Sequence, residues 1–178
     1  MTKLALLGLF MSVFFCVKAQ TDTAKVGVGK RNELKLNLLN SVLGFPEITY
    51  ERILTNEASV GLSLAVSLGE SNNVFIDNYK FMATPYYRMF FGKKTNGFFI
   101  EGNATLINAN YFYTVYTSNS SWRVDNKEVS FGLGAALGLK FATKNNYIGE
   151  ILGGAGRFLG DTYREVYPRI GITIGKRF

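Results

Sequence analysis

Val129-Ser130-Phe131-Gly132-Leu133-Gly134-Ala135-Ala136-Leu137-Gly138-Leu139-Lys140-Phe141 decides how the rest of the chain is read. Val129, Phe131, Leu133, Ala135, Leu137, Leu139 and Phe141 occupy every second position. Ser130, Gly132, Gly134, Ala136, Gly138 and Lys140 fill the positions between. A period of two belongs to a strand, whose successive side chains point to opposite faces. The glycines superficially resemble a dinucleotide-binding loop. They lie inside an alternating run, however, not between a strand and a helix. Residues 59–69 repeat the pattern, with Val60, Leu62, Leu64, Val66 and Leu68 against Ser59, Gly61, Ser63, Ala65, Ser67 and Gly69.

Outward from these stretches, eight segments carry the alternation: residues 33–39, 47–54, 59–69, 79–91, 98–111, 129–141, 147–158 and 167–178. Several reach the roughly 9–11 residues that a tilted strand needs to cross a bilayer. The count is even, as in single-chain bacterial outer-membrane barrels. The connections 55–58, 92–97 and 143–146 are short and polar, while 70–78, 112–128 and 159–166 are longer. Short inner turns and longer outer loops are the asymmetry of such barrels; the first outer connection, around 40–46, is shorter than its counterparts. The longest loop, 112–128, carries Tyr113, Tyr116, Trp122 and Arg123, residue types enriched where proteins make contacts. The reading is an all-β, eight-stranded antiparallel up-and-down transmembrane β-barrel over residues 32–178, preceded by a cleavable signal peptide.

An eight-stranded lumen is only wide enough to be filled by side chains. The Leu, Val and Phe faces are therefore assigned to lipid, and the Gly, Ser, Ala and Thr faces to the interior. Tyr87, Phe91 and Phe98 then lie near a membrane edge, where aromatic girdles form. The same alternation sends Glu33, Lys35, Glu51, Arg88, Glu101, Lys140, Glu150, Arg169 and Arg177 inward, four acids against five bases. Arg88 and Glu101 are equidistant from the 92–97 turn, so they are predicted to face each other. Lys140 and Glu150 are similarly related about 143–146. Opposite charges attract across strands, and a buried charge without a partner is costly. Near-balance predicts a lumen plugged by ion pairs, in which Glu101→Ala strands the Arg88 guanidinium among small residues.

Residues 1–19 have the build of a secretory signal, with Lys3 ahead of an uncharged apolar run over 4–17 and Val17 and Ala19 before Gln20. The run is shorter than the roughly 20 residues of a spanning helix. Cys16 follows Phe15, where a lipoprotein signal requires a small residue. Residues 20–31 are expected to be a flexible segment. At the other end, Ile170, Ile172, Ile174 and Phe178 share a face, similar to the terminal-strand signal read by the outer-membrane barrel assembly machinery. Lys176 departs from that pattern, but a long lysine stem can snorkel to an interface.

Composition excludes much chemistry. The chain has no histidine and one cysteine, which removes most zinc sites, every Ser-His or Cys-His pair and any disulfide within it. Its 20 Lys+Arg against 13 Asp+Glu are scattered, without a nucleic-acid motif, so no nucleic-acid partner is expected. Lys93, Lys94, Lys144, Lys176 and Arg177 gather near the predicted inner rim, where solvated turns explain most of them and acidic lipid headgroups the rest. Gly27-Val28-Gly29-Lys30 lacks the Ser/Thr of a phosphate loop. Asn103-Ala104-Thr105 and Asn119-Ser120-Ser121 fit a glycosylation pattern, but Asn103 is assigned to the lumen.

The segments Asn32-Glu33-Leu34-Lys35-Leu36-Asn37, Pro46-Glu47-Ile48-Thr49-Tyr50-Glu51-Arg52, Thr84-Pro85-Tyr86-Tyr87-Arg88 and Gly171-Ile172-Thr173-Ile174-Gly175-Lys176-Arg177-Phe178 resemble a family of small outer-membrane barrels of unknown function from Bacteroidetes-type bacteria. The resemblance implies eight strands, no assigned activity and no catalytic residues. The expected function is therefore non-enzymatic, with no cofactor: a structural or surface-interaction role, with outer-membrane lipid and the assembly machinery as partners. A surface-binding module contacting an extracellular ligand through 112–128, and a small-solute pore, are the alternatives. A soluble barrel or sandwich with the faces reversed is the rival architecture.

Overall fold

The computed structural model describes residues 30–68, 79–92, 95–117, 120–160 and 165–178, with the backbone alone over 111–127. The expected signal peptide and all but the last two residues of the 20–31 segment lie outside these. Eight strands, β1 (Asn32–Asn37), β2 (Glu47–Ile53), β3 (Ala58–Val66), β4 (Tyr79–Phe90), β5 (Gly97–Thr117), β6 (Ser120–Ala142), β7 (Tyr147–Leu159) and β8 (Val166–Arg177), form one closed antiparallel barrel in chain order. The seam is closed by β1 against β8, from Glu33↔Arg177 to Asn37↔Thr173. No helix among the described residues is long and apolar enough to cross a membrane.

Two departures from the sequence reading have local causes. The first strand stops at Asn37, because the Asn37 side chain accepts a hydrogen bond from the Asn40 N–H at 3.3 Å and caps a short helix, α1 (Leu38–Val42). Gly44, at φ 82°, reverses the chain after α1, and Phe45 turns into the barrel, 2 % exposed. The second departure is larger. Residues 112–128 are not a loop: β5 and β6 pair continuously from Gly97↔Lys140 to Thr117↔Ser120. The pairs from Asn110↔Lys127 upward extend beyond Tyr79↔Ala109 and Phe131↔Leu159, the last pairs with β4 and β7. Eight pairs at roughly 3.3 Å each make a two-stranded hairpin about 26 Å long.

Side chains alternate as the strands require. Leu62, Leu64, Leu133, Leu137, Ile151 and Ile174 are exposed on the outside, whereas Ser63, Thr84, Arg88, Lys140 and Glu150 are buried inside. A bulge between Tyr79 and Phe81 shifts the phase of β4 and turns Tyr79 back inward. The interior is not lined by small residues alone. Tyr86, Phe90, Phe99, Phe158 and Tyr167 are also buried there. Glycines leave the room: a Cβ on Gly138 would lie 2.4 Å from the Phe99 ring, and one on Gly156 would lie 2.1 Å from that of Tyr167.

Candidate functional site

Every second residue of a strand enters the lumen, so acids and bases placed at that spacing on neighbouring strands meet inside. Arg88 and Glu101 are direct partners in the β4–β5 register, and the Arg88 Nε donates to Glu101 at 2.8 Å. Lys140 and Glu150 are partners in β6–β7, with 3.2 Å between charged atoms.

These pairs are links in one continuous network. At the rim where β1 begins and β8 ends, Arg177 donates to Glu33 at 2.8 Å and to Thr95 at 3.1 Å. Lys140 joins Glu33 at 2.8 Å to Glu51 at 2.6 Å. Lys35 donates to Glu51 and, at 2.8 Å, to Glu150. The Arg88 Nη1 reaches Glu51 at 3.0 Å and Glu150 at 2.9 Å. Beyond Glu101, Arg169 donates to Glu101 at 3.0 Å, to Glu47 at 2.7 Å and to Ser63 at 3.2 Å. The Tyr86 hydroxyl donates to Glu51 at 2.8 Å, Asn40 to Glu47 at 2.7 Å and Asn103 to Glu101 at 3.2 Å. The Arg88 guanidinium lies between two rings, 4.4 Å from the Tyr86 centroid and 4.3 Å from that of Phe99. A planar, weakly hydrated cation suits such a slot better than an ammonium would.

All nine charged residues assigned inward by alternation belong to this network. Glu47 is a tenth, missed although it shares the β2 face of Glu51, and it makes the balance five acids to five bases. Glu33, Glu51 and Glu150 bring carboxylate oxygens within 4.8 Å of one another, as a metal site would, but Lys35 and Lys140 already neutralise them. The expectation that Glu101→Ala strands Arg88 needs correction, since Arg88 also holds Glu51 and Glu150. Asn103 is buried, and its Oδ1 accepts from the Tyr167 hydroxyl at 2.9 Å.

The proposed contact residues Tyr113, Tyr116, Trp122 and Arg123 occupy the hairpin above the barrel. Their pairs are Tyr113↔Val124, Val115↔Trp122, Thr114↔Arg123 and Tyr116↔Ser121. This register places Tyr113 and Trp122 on one face of the ribbon and Tyr116 and Arg123 on the other. Phe178, the expected assembly signal, follows β8 and exchanges backbone hydrogen bonds with Asn32 at 2.7 and 3.1 Å.

Fold and lumen together define the class: a closed eight-stranded antiparallel barrel, apolar outside and charged within. Among solved structures, the chain is similar to the N-terminal β-barrel domain of Pseudomonas aeruginosa OprF, at 15 % sequence identity, covering 84 % of this chain and 98 % of that one, with a TM-score of 0.49. No protein-family model matches the chain, and no curated protein matches it significantly.

Proposed function

We propose that the protein is a non-enzymatic outer-membrane barrel with a structural role in the envelope, its lumen sealed by its own side chains. The observation that carries this is the inverted polarity of the barrel. Ten charged residues are interlinked inside, while Leu137, at 53 % exposure, and Ile151, at 56 %, represent an apolar exterior. In water such an exterior would be a large exposed hydrophobic patch; in a bilayer, a closed barrel satisfies every backbone group and presents that face to lipid. A reversed, soluble barrel would bury those large side chains. Five acids balanced against five bases leave no surplus charge to attract one sign of ion, and the aromatic rings fill the space between them. Export through the 1–19 leader and assembly through the strand ending at Phe178 belong to the same reading, as does the family resemblance.

Cell fractionation and planar-bilayer recording test it. The protein is expected in the outer-membrane fraction, released only by detergent, and silent in bilayers. Recovery in the soluble periplasm overturns the membrane placement, and steady conductance overturns the seal. The β5–β6 hairpin favours a second reading, a surface-contact role, because it carries paired strands about 26 Å past the wall.

A further inference from the structure

The charges outside the lumen are unevenly distributed. At the rim where β1 begins and β8 ends, Arg52, Lys144 and Lys176 are exposed, and among the described residues no carboxylate lies within ion-pair distance of any of them. Lys30 precedes β1 at the same rim, and Lys93 and Lys94 fall in the sequence of the β4–β5 connection. Glu57 is the exposed acid there. At the opposite rim, Arg157 lies 3.8 Å from Glu165.

Just above the basic rim, the outer wall is concave across the β2–β1–β8–β7 seam. A groove of about 790 Å³ is lined by Leu36, Ile48, Ile174, Tyr147 and Phe178, with Lys176 also lining it. The Lys176 ammonium sits 5.6 Å from the Tyr147 ring centroid. A cation and an aromatic ring beside an apolar groove match the headgroup and acyl chain of a phospholipid. Lys144, on the turn leading into β7, adds a second cation, and neither lysine lies within ion-pair distance of a described carboxylate.

We infer that this seam is a binding site for an anionic glycerophospholipid, its phosphate held by Lys176 and Lys144 and one acyl chain laid along the groove. This rests on the membrane reading and adds the lipid class and the place. The test uses the full folded barrel in phosphatidylcholine vesicles, with spin-labelled phosphatidylglycerol and spin-labelled phosphatidylcholine as probes. Phosphatidylglycerol is expected to associate about threefold more strongly at low salt, given the strength of a lysine near an acidic headgroup. The preference should shrink in roughly 1 M salt, where charges are screened beyond ~3 Å. K144Q/K176Q should bring the two lipids to parity, while K80Q/R157Q at the other rim should leave the preference intact, with heat-modifiable gel mobility reporting that both variants fold. Equal association in the wild type, or a loss produced equally by K80Q/R157Q, overturns the inference. Failure of the barrel to float with vesicles overturns the membrane reading itself, and the lipid site with it.

Discussion

Strands β5 and β6 lead two lives. Up to Ala109 and down to Phe131 they are flanked by β4 and β7, and their inward residues Glu101, Asn103 and Lys140 are held by partners from five other strands, β1, β2, β4, β7 and β8. Above that level each pairs only with the other among the described strand pairings. Within the wall, outward positions run Phe98, Ile100 and Leu106, then Phe131, Leu133, Leu137 and Leu139. In the hairpin, the same outward register holds Phe112, Thr114, Tyr116, Ser121, Arg123, Asp125 and Lys127, while Tyr111, Tyr113, Val115, Trp122, Val124 and Asn126 take the inward one. Arg123, Asp125 and Lys127, the charged residues of the hairpin, all take the register that carries no charge within the wall. Backbone pairing is therefore indifferent to which face carries charge; on the membrane reading proposed above, the surroundings decide it, with lipid beside the wall and water beside the hairpin.

The difference predicts unequal tolerance to change. Arg88→Ala is expected to be the most damaging substitution. It leaves Glu51, Glu101 and Glu150 short of one cation and empties the slot between Tyr86 and Phe99. Breaking a buried ionic cluster in this way costs about 3–5 kcal/mol. Heat-modifiable gel mobility against temperature measures it, and a loss no greater than that of Leu137→Ala on the outer face would show that the network is not what specifies the interior.

Glu101→Ala is expected to cost less, about 1–3 kcal/mol. Arg88 retains Glu51 and Glu150, and Arg169 retains Glu47. The double variant Arg88→Ala with Glu101→Ala should lose less than the sum of the two single changes, because the same 2.8 Å bond is removed in each. Strict additivity would mean that the pair is not coupled through the network.

What the sequence made legible follows from the same comparison. Alternation locates the wall strands to within a few residues, because an apolar exterior and a filled lumen impose opposite chemistries on successive positions. It also identifies the inward charges, and turn symmetry identifies Arg88 opposite Glu101. Glu47 was within reach of the same rule, sharing a face with Thr49 and Glu51. Three-dimensional convergence was not: Arg88, Lys35 and Lys140 meet around Glu51 and Glu150 from separate strands, and only barrel closure brings them together. The capped helix at Leu38–Val42 was hidden because five residues give no period to read. The hairpin reads as a loop because its charges lie on the outward register, so a rule tuned to strands with an apolar outer face sees no strand there.

The smallest effect on the barrel is expected from removing the hairpin altogether. A two-stranded ribbon is marginal by itself, so its register is inherited from the wall beneath, where β4 and β7 fix Ala109 and Phe131 independently. Ala109↔Glu128 lies eight residues along each strand from Thr117↔Ser120, the pair that closes the natural tip, so both pairs have the same hydrogen-bonding phase. An Asn-Gly turn replacing residues 110–127 can therefore close the shortened strands with the geometry that such two-residue turns favour. We expect the folded form and its unfolding temperature to change little, within about 0.5 kcal/mol, while any adhesion or ligand capture by intact cells is lost. A marked fall in unfolding temperature would instead mean that the apolar face of the hairpin, with Tyr111, Tyr113 and Trp122 in register, contributes to the stability of the barrel mouth. Wall and hairpin would then be one cooperative unit, and the outward shift of charge would mark a second core rather than the edge of the proposed membrane span.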